Sequence, residues 1–286
     1  MKTLTAAGIT RDAIARISKS KNRRLKQIVR ALTNHLHDFA REVKLTPEEW
    51  WAGIQFLTAV GHRTDEKRQE FILLSDTLGL SAIVDLMASR QPQANATDSS
   101  LLGPFFREGA PRFPIDGDIS HGAAGDKLIV AGRVLNTDGE PIADALIDTW
   151  QSSADGIYDL QQVDSDEMNF RGRLRTGADG RFRFRSVKPC SYPVPSDGPV
   201  GKMLRALARH PYRPAHIHFR IAAPGYRTLT TALYIAGDRY LDSDVVFGAK
   251  KSLVINYRRS PNGAAAAIEF DFVLNSKESR KKGKRG

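Results

Sequence analysis

Leu128-Ile129-Val130-Ala131-Gly132-Arg133-Val134, then Asp138-Gly139, then Ala145-Leu146-Ile147-Asp148-Thr149-Trp150 is the stretch on which the fold turns. Two short apolar, β-branched runs flank an Asp-Gly turn signal, and this predicts two strands around a turn. Downstream, Arg181-Phe182-Arg183-Phe184-Arg185 alternates strictly after Asp179-Gly180, so one face of that strand is buried and the other wet. His216-Ile217-His218-Phe219-Arg220-Ile221 alternates polar with apolar and ends at Ala223-Pro224-Gly225, and Leu229 to Ile235 resumes a strand. From Gln91-Pro92 onward, short runs punctuated by Asp-Gly and Gly/Pro turns predict antiparallel strands forming a β-sandwich or barrel.

Ahead of these strands the apolar period changes from two to about three and a half. From Arg11 to Val43, Ile14, Ile17, Leu25, Ile28, Val29, Leu32, Leu36, Phe39 and Ala40 recur at three- and four-residue spacing, the mark of an amphipathic helix or a broken pair. Thr46-Pro47-Glu48-Glu49 reads as an N-cap, a proline at the first helical position and a capping-box glutamate, opening a helix through Val60. Thr64-Asp65 is expected to open another, running to Ala88. The fold class is therefore mainly β with an N-terminal α domain: residues 1–100 helical domain and linker, 101–275 a β domain, 276–286 a basic tail expected to be mobile.

With 286 residues and 41% hydrophobic content the chain has enough apolar surface for a sizeable core, which excludes a disordered protein. The net charge is +11, of which +5 sits in the segment from Ser276 to Gly286, leaving a moderately basic body suited to an anionic substrate or acidic partner. The tail has no interleaved aromatics and no nucleic-acid fold accompanies it, so no nucleic-acid partner is expected. A single cysteine, Cys190, forms no internal disulfide and reads as a small buried hydrophobe. Met1 to Thr10 lacks an apolar export region, and the chain is expected to be soluble and cytoplasmic. Glycine patterns for phosphate binding are absent, so no nucleotide cofactor is expected.

His216 and His218 are the first chemical signal, because strand side chains two apart share a face and converge on one ion. Two imidazoles make half a metal site. No further cysteine exists, and no nearby carboxylate has a spacing that completes a two-histidine, one-carboxylate set. Tyrosines remain. Tyr158 follows the turn signal Ala154-Asp155-Gly156, and Tyr192 sits in the proline-bounded Pro189-Cys190-Ser191-Tyr192-Pro193-Val194-Pro195; each is either a ligand or a packed tyrosine with a bonded hydroxyl.

Gly156-Ile157-Tyr158-Asp159, Ser191-Tyr192-Pro193-Val194-Pro195 and Arg213-Pro214-Ala215-His216-Ile217-His218-Phe219 closely resemble the intradiol ring-cleaving dioxygenases in order and spacing. Leu102-Gly103-Pro104-Phe105-Phe106 and Ser75-Asp76-Thr77-Leu78-Gly79 extend the resemblance, which covers about Thr46 to Val254. It implies a β-sandwich catalytic domain, a helical domain forming a homodimer, a possible phospholipid between those helices, and one non-haem Fe(III) per chain held by Tyr158, Tyr192, His216 and His218. It further implies that Tyr192 is displaced by substrate, and that Arg213 holds negative charge developing on the ring. Phenolate oxygen is a hard anionic donor, which independently favours ferric over ferrous iron.

Tyr240-Leu241-Asp242-Ser243-Asp244-Val245-Val246-Phe247-Gly248 and Asp197-Gly198-Pro199-Val200-Gly201 resemble the branch acting on hydroxyquinol, with catechol and chlorocatechol as alternatives. Catechol enzymes place Gln fourteen residues after the second histidine, where this chain has Ala232. By the same resemblance the pocket wall comprises Leu73, Asp76, Leu101, Leu102, Gly103, Pro104, Phe105, Val194, Pro195, Arg213 and Val246. Asp76 either accepts a hydrogen bond from a third ring hydroxyl or is a helix-surface residue or cap for the following turn.

Overall fold

A computed structural model describes residues 4–88, 95–161, 167–259 and 265–277. Gln91-Pro92 and the basic tail beyond Lys277 lie outside the described residues. The chain divides into two compact units, residues 1–59 and 60–286.

The first unit holds α1 (Ala6–Ile17), α2 (Arg23–Glu42) and the start of α3 (Pro47–His62). The long amphipathic stretch is thus a broken pair, and it begins earlier than Arg11 because the Thr5 side chain accepts from Gly8 N and caps α1. The Asn22 side chain, accepting from Leu25 N, starts α2. The capping box of α3 forms as expected: Thr46 N donates to Glu49 Oε2 at 2.9 Å and Glu49 N to Thr46 Oγ1 at 3.3 Å. Neither α1 nor α2 contains a buried residue, and Leu25, Ile28, Leu32, Leu36 and Phe39 on α2 are all exposed.

The second unit opens differently from the expectation. Asp65 does not start a helix; its carboxylate accepts from Lys67 N and Arg68 N in a tight turn. The helices are α4 (Glu70–Thr77) and α5 (Leu80–Ala88), separated at Gly79, whose φ of +77° no helix accommodates. No single helix among the described residues is long and apolar enough to cross a membrane.

Strands β1 (Gly117–Asp118), β2 (Lys127–Asn136), β3 (Leu146–Gln151), β4 (Arg171–Arg175), β5 (Arg181–Val187) and β6 (Tyr192–Pro193) precede α6 (Pro199–Ala206). Then come β7 (Tyr212–Arg213), β8 (His216–Ala222), β9 (Leu229–Ile235), β10 (Val254–Ile255), β11 (Arg258–Arg259), β12 (Ala266–Glu269) and β13 (Phe272–Leu274). One sheet runs β1-β5-β2-β12-β11 with β13 also on β2, and the other runs β10-β9-β8-β3-β4. Both contribute to one apolar core: Val130, Phe182, Phe184 and Ile268 from the first meet Ile147, Ile217, Phe219 and Leu233 from the second. This is a β-sandwich.

The opening stretch therefore yields its two strands, but they lie in opposite sheets. Gly139 turns the chain at φ +85°, and the chain crosses from one layer to the other, so that Val130 and Ile147 enter the same core from opposite sides. The sheets are also mixed rather than antiparallel: β1 pairs β5, β10 pairs β9, and β12 and β13 pair β2 in parallel. Parallel neighbours need long connections that no local turn signal announces.

Strand β8 positions the site. Ile217, Phe219 and Ile221 point into the sandwich core, so His216 and His218 point out of it, and both are nonetheless buried.

Candidate active site

Four aromatic side chains converge on the outer face of β8. His216 and His218 bring their Nε2 atoms to 2.9 Å, with the rings at 83°. The Tyr158 and Tyr192 rings stand 5.1 Å apart at 72°, and Tyr192 lies 5.6 Å from His216. All four are 0–1% exposed. Each arrives by its own device. Tyr158 is carried by the turn after β3, which Gly156 closes at φ +80°. Tyr192 sits in the ribbon β6–β7, directly opposite Arg213 in register.

A hydrogen bond fixes the tautomer of His216. His216 Nδ1 lies 2.7 Å from Pro214 O, and since a carbonyl only accepts, Nδ1 carries the proton and the lone pair is on Nε2, where Arg213 Nη1 approaches to 3.1 Å. Burial, reinforced by Arg213, lowers the His216 pKa to about 3, and burial with His216 and Arg213 depresses that of His218, so both rings are neutral near pH 7. Burial raises both phenols, Tyr158 well above the usual tyrosine range, while Arg213 partly offsets the effect at Tyr192. The Tyr158 hydroxyl, though beside Tyr192, has no hydrogen bond of acceptable geometry, nor has His218 Nδ1. His218 faces Ala232 across the β8–β9 ladder, and Ala232 offers no side-chain partner.

Arg213 is 1% exposed. Its Nη1 lies 3.1 Å from His216 Nε2 and 3.5 Å from the Tyr192 hydroxyl; Nε and Nη2 bond Asp244, and Nη2 also donates to Tyr234. A second buried ion pair supports Tyr158. Arg171 grips both carboxylate oxygens of Asp159 and donates to Phe105 O at 3.1 Å, and the Phe105 ring stacks on Tyr158 at 4.4 Å. Trp150 stacks on His218 at 4.8 Å.

A cavity of about 450 Å³ adjoins the cluster and gathers five of the expected wall residues: Leu73, Pro104, Phe105, Val194 and Pro195. Arg63, Lys67, Arg68, Glu70 and Asp197 also line it, with Asp197 paired to both Arg63 and Arg68. Gly103 passes over His218; a β-carbon there would lie 3.6 Å from Nε2. Leu101 is buried and Leu102 is 39% exposed, neither of them lining the cavity. Arg213, Asp76 and Val246 are likewise buried outside the cavity wall. Asp76 is no helix-surface residue: it bonds Ser81, and burial raises its pKa against the opposing pull of Ser81 and Arg213. Cys190 is half-buried rather than buried. Sequence reasoning did not single out Asp159, Arg171, Tyr234, Asp244 and Ser100. Asp159 and Asp244 stand inside quoted motifs, but nothing in a linear pattern pairs them with arginines 12 and 31 residues away.

The donors fit a ferric ion. Two phenol oxygens, one of them an orphaned buried polar atom, and two imidazole Nε2 atoms 2.9 Å apart form a hard oxygen and nitrogen set. No group of three or more His, Cys, Asp or Glu among the described residues is arranged to hold a metal.

Comparison with known proteins agrees with this geometry. A dioxygenase family model matches residues 103–276, and one described as catechol dioxygenase N terminus matches residues 22–96. The chain is 50% identical to 6-chlorohydroxyquinol 1,2-dioxygenase of Cupriavidus pinatubonensis over 93% of this chain and 96% of that protein. It is 48% identical to hydroxyquinol 1,2-dioxygenase of Nocardioides simplex, covering 92% and 94%. Its fold superimposes on the solved hydroxyquinol 1,2-dioxygenase of Pseudomonas putida DLL-E4 with a TM-score of 0.86 at 44% identity, covering 95% of this chain and 99% of that one.

Proposed function

We propose, from the premise that this chain belongs to the intradiol ring-cleaving dioxygenase family, that it cleaves hydroxyquinol (1,2,4-trihydroxybenzene) with O2 between the adjacent hydroxylated carbons, giving 3-hydroxy-cis,cis-muconate, the tautomer of maleylacetate. The observation that carries the reading is the buried convergence of Tyr158, Tyr192, His216 and His218, with the Tyr158 hydroxyl unpartnered. These four residues would hold one Fe(III). When bound, Fe(III) supplies Lewis acidity and an acceptor for ring electron density, which opens a chelated diol to O2.

The chain's own residues do the rest. With Fe(III) bound, Tyr192 would be a phenolate whose Oη takes a proton from an incoming diol hydroxyl, and Arg213 Nη1 beside it would stabilise that phenolate before the transfer. Arg213, desolvated and aimed at the same point, balances negative charge developing on the ring. Phe105, Val194 and Leu73 exclude water around an aromatic ring. Asp76 is the proposed discriminator among diols: it lies outside the cavity wall and bonds Ser81, so it acts only where a third hydroxyl reaches its carboxylate. Asp76→Leu then narrows the ratio of hydroxyquinol to catechol kcat/KM; an unchanged ratio removes Asp76 from specificity. Catechol and chlorocatechol are the less supported substrates, Ala232 standing where catechol enzymes carry Gln.

Within this reading residues 1–100 are the helical dimerisation domain and linker, 101–275 the catalytic domain and 276–286 a basic tail. Exposed Leu25, Ile28, Leu32, Leu36 and Phe39 support a homodimer through α2, an apolar face that would also accept a lipid chain between copies. The direct test of the whole is the visible spectrum of purified protein with and without 1,2,4-trihydroxybenzene under anaerobic conditions. A tyrosinate-to-iron charge-transfer band that moves to longer wavelength on adding the diol supports the site and substrate chelation. A protein that stays colourless after iron is restored rules both out.

A further inference from the structure

Arg213 presents five N–H donors, and the structure gives each an acceptor. Nη1 serves His216 Nε2 at 3.1 Å and Tyr192 Oη at 3.5 Å; Nε serves Asp244 Oδ1 at 3.2 Å; Nη2 serves Asp244 Oδ2 at 3.4 Å and Tyr234 Oη at 3.3 Å. One edge of the guanidinium thus faces the candidate metal ligands, and the opposite edge is clamped.

The clamp is a closed circuit. Ser100 Oγ donates to Gly248 O at 3.0 Å, so the 2.9 Å contact between Ser100 and Tyr234 is donated by the tyrosine, which leaves the Tyr234 oxygen free to accept from Arg213. Gly248 N in turn donates to Asp244 Oδ2 at 3.0 Å, returning to the carboxylate that holds Arg213. Ser100, Arg213, Tyr234 and Asp244 are each at most 5% exposed, so water cannot replace a missing partner. Gly248 packs directly on the clamp: a β-carbon would stand 2.8 Å from Tyr234 Oη and 2.9 Å from Arg213 Nη2, so those tips would have to shift. Asp244 also accepts from Val246 N at 3.3 Å, so the same carboxylate folds the turn carrying Val246.

We infer that Asp244 is the positioning residue for Arg213, holding the guanidinium edge against Tyr192 and His216 through a circuit closed by Tyr234, Ser100 and Gly248. This rests on the reading of the site given above. Arginine is a long, rotamer-rich side chain, and its contribution to charge stabilisation depends on being in place before charge develops. Without Asp244 the clamped edge loses its counter-charge and two acceptors, and the guanidinium is free to leave the site edge.

The test is a double-mutant cycle between Asp244→Asn and Arg213→Gln, with Tyr234→Phe as a second route into the circuit. Turnover of 1,2,4-trihydroxybenzene and its anaerobic dissociation constant are measured on iron-loaded protein. Exchange of the Arg213 Nε–H proton is followed by NMR on metal-free protein. Asp244→Asn is expected to lower kcat by about 30- to 100-fold, raise the dissociation constant less than about 3-fold, and accelerate Nε–H exchange at least about 10-fold. In the Arg213→Gln background it lowers kcat by less than about 3-fold. Tyr234→Phe lowers kcat by about 3- to 10-fold, again only when Arg213 is present, and decides the question alone if Asp244→Asn does not fold. Losses that multiply in the double variants, or unchanged Nε–H exchange, overturn the positioning role. An iron-loaded wild type that cleaves no diol overturns the reading of the site instead.

Discussion

Gly156 and Tyr192 are packed so closely that a β-carbon on Gly156 would stand 2.9 Å from Tyr192 Cβ, and Gly156 holds φ +80°. The turn presenting one tyrosine therefore leans directly on the strand presenting the other. Gly156→Ala is expected to lose about 2–4 kcal/mol of stability in denaturant unfolding, since backbone strain and overpacking add. Gly122, at φ +78° with nothing within 4 Å of a β-carbon, is the control, and Gly122→Ala loses about 1 kcal/mol. Equal losses at the two positions show that the contact contributes nothing.

Tyr158→Phe separates folding from metal binding. The Tyr158 hydroxyl is buried without a hydrogen bond, so removing it relieves a desolvation penalty of about 1–3 kcal/mol in the metal-free protein. The metal-free variant melts at a higher temperature than the metal-free wild type, while the purified variant retains less iron. A lower melting temperature shows that the hydroxyl is satisfied in the folded protein.

The Arg171–Asp159 pair is buried on both sides, at 2% and 1% side-chain exposure. Asp159→Asn or Arg171→Met alone strands a buried partner and costs about 3–5 kcal/mol. The double variant Asp159→Leu with Arg171→Met strands no charge, although Phe105 O loses its donor, and its loss is smaller than either single one. Unfolding midpoints of the three proteins check this, and a sum of the single losses contradicts it.

Asp76 sets a pH dependence of known sign. Burial raises its folded pKa above the unfolded value of 3.8. The folded state then binds the proton more tightly, so the group's contribution to stability is full below pH 3.8 and is lost as pH rises through the folded pKa. Asp76→Asn has no proton to release. The stability of the variant relative to wild type therefore increases as pH rises from 3.8 toward neutrality, measured as the difference between paired unfolding curves. A flat difference means that Arg213 and Ser81 compensate burial in full.

Much of this was readable along the chain. The alternation of Arg181–Arg185 names its buried phenylalanines, and the capping box at Thr46 names the start of α3, because both are set by neighbours within a few residues. His216 and His218 announce a shared face by their spacing alone. The helix start expected at Thr64-Asp65 failed because an Asx-type turn uses the same residue type as an N-cap, and only the backbone path distinguishes them.

What the sequence determined by itself is periodicity and chemistry: strands that bury alternate residues, helices with an apolar face, and a motif set carrying two tyrosines and two histidines. What only the tertiary structure decided is partnership. It placed Leu128–Val134 and Ala145–Trp150 in opposite sheets, ran β12 and β13 parallel to β2, put Arg171 on Asp159, and closed the circuit from Asp244 through Arg213, Tyr234 and Ser100 to Gly248. Side-chain direction repeats over two to four residues and is written in the order of the chain. The buried charge and hydrogen-bond pairs here join residues up to 148 apart, and they are fixed by the need to satisfy every polar group the packed core has removed from water.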